Sequence, residues 1–117
     1  QNDMNISKAK KILKNKIIGV TCHNSIKLAK YASSNGANYI ALGAFYKTRT
    51  KKVIHKADIK TLNKIKKSVK IPVVAIGGIN HKNYKKLLLN KADFLAISGY
   101  IWNNKKFKPH QAIKNLI

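Results

Sequence analysis

The chain has 117 residues, 44% of them apolar, and sets 25 basic side chains against three acids for a formal charge of +22. That length supports one domain with a workable core, and that apolar share excludes a disordered chain. No apolar run approaches the roughly 18–20 residues that span a bilayer, and no signal peptide is recognisable, so no membrane partner is expected.

Glu is absent and Arg49 is the only arginine. Such a charge raises the possibility of a basic nucleic-acid-binding module, but the lysines are spread along the chain rather than gathered into a stripe. Tyr39, Phe45, Phe94 and Tyr100 sit in or beside apolar runs, where they suit a core better than a base-stacking platform. No specific nucleic-acid partner is expected. The single cysteine, Cys22, excludes an intrachain disulfide and fits a reducing, cytoplasmic compartment. It stands beside His23 near a strand end, yet neighbours in a strand point to opposite faces, so a buried thiol is expected rather than a Cys–His nucleophile.

Strand-like and helix-like pieces alternate along the chain. Residues 6–14 place Ile6, Ala9, Ile12 and Leu13 at helical spacing. Ile17-Ile18-Gly19-Val20 reads as a short strand ending at Thr21. Ser25 is placed to cap a helix to about Ser34, closed by Asn35-Gly36. Tyr39-Ile40-Ala41-Leu42 forms the next strand and stops at Gly43. A polar loop follows over residues 43–56. Asp58 starts a helix over residues 58–69, and Pro72 opens the strand Val73-Val74-Ala75-Ile76. Residues 81–90 form a helix around Tyr84, Leu87 and Leu88, and Phe94 to Ile97 is the fourth strand. Pro109 leads into a short terminal helix.

Strands starting near 17, 39, 72 and 94 define βα units of about 20–35 residues, with strands apolar on both faces as a helix-covered parallel sheet requires. The fold class is α/β of the TIM-barrel type. Four such units cannot close an eight-stranded barrel, which usually takes roughly 250 residues. The chain therefore reads as half of one, with an N-terminal half missing or a second copy in its place.

The four strands end at Thr21, Gly43, Gly77 and Ser98, and in parallel βα proteins ligands sit at such carboxyl ends. Gly77-Gly78 and Ile97-Ser98-Gly99 leave bare backbone amides for an anion, although a Gly-Gly pair alone also suits a tight turn. The long loop carries Thr48-Arg49-Thr50-Lys51, two hydroxyls and a mobile cation suited to phosphate or pyrophosphate. Asp58 reads as a helix cap and Asp93 as a structural acid. Asp3 is left as the candidate hard-cation ligand. His23, His55, His81 and His110 show no metal-ligand spacing.

Taken in order, these segments resemble the C-terminal half of the thiamine phosphate synthase family. The likeness runs from Gln1-Asn2-Asp3 through Ile18-Gly19-Val20-Thr21-Cys22-His23, Gly36-Ala37-Asn38-Tyr39-Ile40 and Gly43-Ala44-Phe45-Tyr46-Lys47-Thr48-Arg49-Thr50-Lys51. It closes with Val74-Ala75-Ile76-Gly77-Gly78-Ile79 and Ala92-Asp93-Phe94-Leu95-Ala96-Ile97-Ser98. Ala44 stands where the family commonly has proline, and Asn90-Lys91 where a Gly-containing turn is usual. The family's first half is absent from this chain.

The resemblance implies a β/α barrel that couples a hydroxymethylpyrimidine diphosphate to a thiazole phosphate with Mg²⁺, giving thiamine phosphate and pyrophosphate. By position it implies Asp3 as a magnesium ligand, and Thr21 and Lys51 on the pyrimidine diphosphate, with Lys51 stabilising the departing charge. Thr48, Arg49, Thr50, Gly78, Ile97 and Ser98 would line the thiazole phosphate site. The partners implied are these phosphorylated small molecules. A thiazole tautomerase-like relative on the same scaffold is the nearest alternative reading.

Overall fold

The helix-start signals at Ser25 and Asp58 are met by real contacts. The computed structural model describes residues 6–13, 15–46 and 57–116. Helix α1 covers Ile6–Ile12, strand β1 Gly19–His23, helix α2 Ile26–Ser34 and strand β2 Tyr39–Leu42. Helix α3 covers Ile59–Ser68, β3 Val73–Ile76, α4 Tyr84–Leu89, β4 Phe94–Ala96, α5 Gly99–Trp102 and α6 Pro109–Lys114. Ser25 caps α2 by accepting from the Leu28 amide at 3.1 Å. Asp58 caps α3 by accepting from the Thr61 amide at 2.7 Å. Each cap satisfies a donor that the first helical turn would otherwise leave orphaned.

The four strands are all parallel and lie in the order β1-β2-β3-β4. A doubly wound sheet reverses its strand order at a switch point; here the order runs straight through, as in one side of a barrel. In register, Ile40 stands beside Val73, and Leu42 beside Ala75. These side chains and Cys22 are buried with Ala29 and Ala32 of α2, Leu62 and Ile65 of α3, and Leu87 of α4. The helices therefore cover one face of the sheet.

The other face departs from expectation. Tyr39, Ala41, Val74, Ile76, Phe94 and Ala96 share it by register, and none of them is buried among the described residues. Phe94 is 59% exposed. The strands are apolar on both faces, but helices cover one; the second apolar face is the one a closed barrel turns inward.

Strand β1 also starts two residues later than the apolar run suggests, and Ile17 is 79% exposed. Its beginning is set by Asn38, whose side chain accepts from the Ile18 amide while its own amide donates to the Ile18 carbonyl. Of the apolar residues expected on the first helix, Ile6 is buried, whereas Ile12 and Leu13 are exposed.

Candidate active site

Parallel pairing brings all four strand tips to one rim. The last register pairs are His23 with Leu42, Leu42 with Ala75, and Ile76 with Ala96. Gly77-Gly78 and Ile97-Ser98 follow directly, so the structure brings Gly78, Ile97 and Ser98 together at the carboxyl edge. Thr21 lies in β1, half-buried, on the uncovered face. Asp3, Thr48, Arg49, Thr50 and Lys51 lie outside the described residues.

The tips of β2 and β3 touch. A Cβ on Gly43 would stand 2.4 Å from the Ile76 side chain and 2.6 Å from the Ile76 carbonyl oxygen. A Cβ on Gly77, whose φ is +99°, would stand 2.3 Å from the Ala44 Cβ. Only glycine fits either position.

This contact fixes the backbone that follows. The Tyr46 amide donates to the Gly77 carbonyl at 3.1 Å, and the Asn83 side-chain amide donates to the Gly78 carbonyl at 3.1 Å. A trans peptide points its N–H opposite to its C=O. Anchoring the Gly77 carbonyl against the β2 loop therefore turns the Gly78 N–H away from it. Among the described residues, no protein group accepts from the amides of Gly78 or Ser98. Two preset, unspent donors on one rim suit an anion.

Asparagines hold this loop, and sequence reasoning missed them. The Asn83 Oδ1 accepts from the Asn80 amide at 2.8 Å. The Asn80 Oδ1 accepts from the amides of Lys82 and Asn83. The phenol of Tyr46 donates to the Asn83 carbonyl at 3.3 Å, and burial raises its pKa, which keeps it a donor. The spacing Gly-Gly-Ile-Asn-x-x-Asn carried the signal, an Asx turn behind a glycine pair, hidden in a chain rich in asparagine.

The described residues on either side of 47–56 both sit at this rim. Tyr46 is bound to Gly77, and on the far side the Ala57 amide donates to the Ala44 carbonyl at 2.8 Å. The Asp58 amide donates to Asn24, in the turn after β1.

Cys22 is fully buried, and desolvation pushes its thiol up to about 11. A thiol so disposed is a poor nucleophile. Asp58 and Asp93 both have structural partners: Asp58 caps α3, while Asp93 takes the Lys66 ammonium and the Val73 amide. No group of three or more His, Cys, Asp or Glu could hold a metal among the described residues. Those residues do not fit a magnesium ion.

A singly wound parallel sheet with helices on one face and its strand tips gathered on one rim defines a protein of the β/α-barrel type. Comparison with known proteins narrows this class. A family model for thiamine monophosphate synthase matches residues 1–101, and the chain belongs to that family. A thiamine-phosphate synthase from Pelagibacter ubique is 66% identical over 99% of this chain and 56% of its own length. One from Clostridium acetobutylicum is 44% identical over 92% of this chain and 51% of its own. The solved structure of a thiamine phosphate pyrophosphorylase from Pyrococcus furiosus superposes with a TM-score of 0.84 at 35% identity, over 98% of this chain and 54% of its own. A nitroalkane oxidase from Streptomyces ansochromogenes, at 19% identity and a TM-score of 0.60, shares the fold alone. The chain spans about half the length of the curated relatives it matches. These relatives lend no support to the tautomerase-like or nucleic-acid-binding readings. No helix among the described residues is long and apolar enough to cross a membrane.

Proposed function

We propose that residues 1–117 are the C-terminal half of a β/α barrel that joins hydroxymethylpyrimidine diphosphate to thiazole phosphate, yielding thiamine phosphate and pyrophosphate. The observation that carries this reading is the rim itself, where Gly78 and Ser98 present amides with no acceptor among the described residues. They would receive the thiazole phosphate, with Ile97 between the strand and Ser98, and with Thr48, Arg49 and Thr50 supplied by the loop anchored at Tyr46 and Ala57.

Thr21 and Lys51 would contact the pyrimidine diphosphate. The bond from the pyrimidine methylene to the diphosphate oxygen breaks, and its electron pair leaves with pyrophosphate. The thiazole nitrogen then donates its lone pair to the methylene cation. Lys51 stabilises the leaving charge, and the rim holds the nucleophile in line. Asp3 is the proposed magnesium ligand on the resemblance alone; a hard cation needs further oxygen ligands from elsewhere. A cytoplasmic setting belongs to the same proposal, supported by the single, free cysteine.

The uncovered sheet face and the open edges of β1 and β4 suit an N-terminal half-barrel. A second copy of this chain is the poorer fit, because two chains each carrying +22 repel. The test is turnover in the full-length protein. It should release pyrophosphate from the two substrates, and Lys51→Ala should lower kcat by about 10²-fold or more. Unchanged turnover in that variant overturns the assignment of Lys51; absent turnover in the unaltered protein overturns the function. Phe94→Asp should prevent a separately made N-terminal half from restoring activity to this chain.

A further inference from the structure

The β3–β4 ladder ends at Ile76 and Ala96. Beyond that pair, no hydrogen bond joins the loop after β3 to the loop after β4 among the described residues. One ring contact does join the loop after β3 to the first turn of α5, which follows Ser98. His81, three residues past Gly78, stacks on Tyr100, two residues past Ser98, with centroids 5.1 Å apart and planes inclined by 27°. Phe107 meets the His81 ring edge-on at 6.0 Å, so the segment after α5 backs the stack.

From this arrangement we infer that the His81–Tyr100 stack is a positioning pair: it sets the gap between the Gly78 and Ser98 amides and thereby the affinity of the rim for a phosphoryl group. The inference rests on the function proposed above only for the identity of the phosphorylated ligand. Neighbouring chemistry supports a ring-based role. His81 Nδ1 and the Tyr100 hydroxyl are both buried without a hydrogen-bond partner among the described residues, a state that costs stability. What the two side chains do supply is a defined planar contact. Donors facing a phosphoryl group lose strength quickly when displaced, and two loops free of mutual hydrogen bonds depend on packing to fix their separation, Ile79 and Ile97 against the core and the ring pair beyond it.

The test compares Tyr100→Leu, which removes the ring, with Tyr100→Phe, which keeps the ring and removes the orphaned hydroxyl. Both are measured in the full-length protein. Tyr100→Leu should raise the KM for thiazole phosphate and the Kd for inorganic phosphate by about tenfold, the upper range for one aromatic pair. The KM for the pyrimidine diphosphate and kcat should stay within about twofold. Tyr100→Phe should restore phosphate affinity and raise Tm by a few degrees.

Equal affinity in the Leu variant and the unaltered protein overturns the inference. So does equal weakening by Leu and Phe, which would assign the effect to the hydroxyl, and so does a parallel rise in both KM values, which would mean general loosening. Ring-dependent phosphate binding without synthase turnover removes the proposed function and leaves the positioning pair standing. Turnover with an indifferent Tyr100 does the reverse.

Discussion

The side-chain amide of Asn83 holds the carbonyl of Gly78, five residues back along the chain, at 3.1 Å. The same side chain accepts from Asn80, so one residue closes the turn and orients the peptide that leaves Gly78. Asn83→Ala removes both bonds. It should raise the KM for thiazole phosphate by about tenfold and lower stability by about 1–3 kcal/mol. Asn83→Asp keeps the acceptor but sets an oxygen against the Gly78 carbonyl, so it should be no better. Steady-state kinetics of both variants decide the matter; an unaltered KM in the Asp variant would make the carbonyl anchor dispensable.

What the sequence disclosed was what neighbours in the chain decide. Ser25 and Asp58 cap helices because a short oxygen-bearing side chain bonds the amide three residues on, and both caps are in place. Strand Tyr39–Leu42 falls where its four apolar residues put it. What stayed hidden was set by distant partners. Ile17 looks like a strand residue, yet β1 begins at Gly19, where the ring of Tyr39 passes so close that a Cβ would lie 2.0 Å from it. The short helix α5, with four residues, is below the length at which periodicity can be read. At the rim, the glycines and Ser98 were legible as motifs, and Asn80 and Asn83 form a local turn whose spacing lay hidden in a chain rich in asparagine, whereas the His81–Tyr100 stack depends on how separate segments meet in space.

Asp93 governs part of the acid stability. Burial alone would raise its pKa, but the Lys66 ammonium and the Val73 amide outweigh that and hold the carboxyl below its ordinary 3.8. A folded value below the unfolded one gives stability that is present above about pH 3.8 and is lost as pH falls through the folded value. Asp58 acts in the same direction, held down first by the Thr61 amide. Urea midpoints between pH 2 and 7 should therefore fall at the acid end. Asp93→Asn should lower the plateau near neutrality and flatten the acid limb. A parallel offset at every pH would show that the Asp93 charge contributes nothing.

Cys22 offers a probe of the closed core. Its thiol is fully buried and raised to about 11, so at pH 8 the thiolate fraction is on the order of one in a thousand. Iodoacetamide should label the folded chain far more slowly than the same chain in urea. Cys22→Ser would bury a hydroxyl where the thiol has one weak contact, to the Val20 carbonyl at 3.6 Å, and should cost about 1–3 kcal/mol. Rapid labelling of the native protein would show that β1 is not packed under α2 as described.

Gly77 tests whether the meeting of β2 and β3 tips is obligatory. Alanine there must adopt φ near +99° and place its Cβ against Ala44. Neither group can move without displacing backbone, since Tyr46 and Gly77 are hydrogen-bonded across the same contact. The strain alone is about 1–3 kcal/mol, and Gly77→Ala should lower Tm by roughly 10 °C while weakening phosphate binding with it. Gly99→Ala supplies the contrast in stability. Its added Cβ would meet nothing nearer than the Asn103 side chain at 4.0 Å, so its Tm should hold or rise slightly. Thermal melts of the two variants separate a requirement for glycine at the strand contact from mere tolerance of it along the rim, and a Gly77→Ala protein as stable as the original would remove the contact from the account of how the Gly78 amide is aimed.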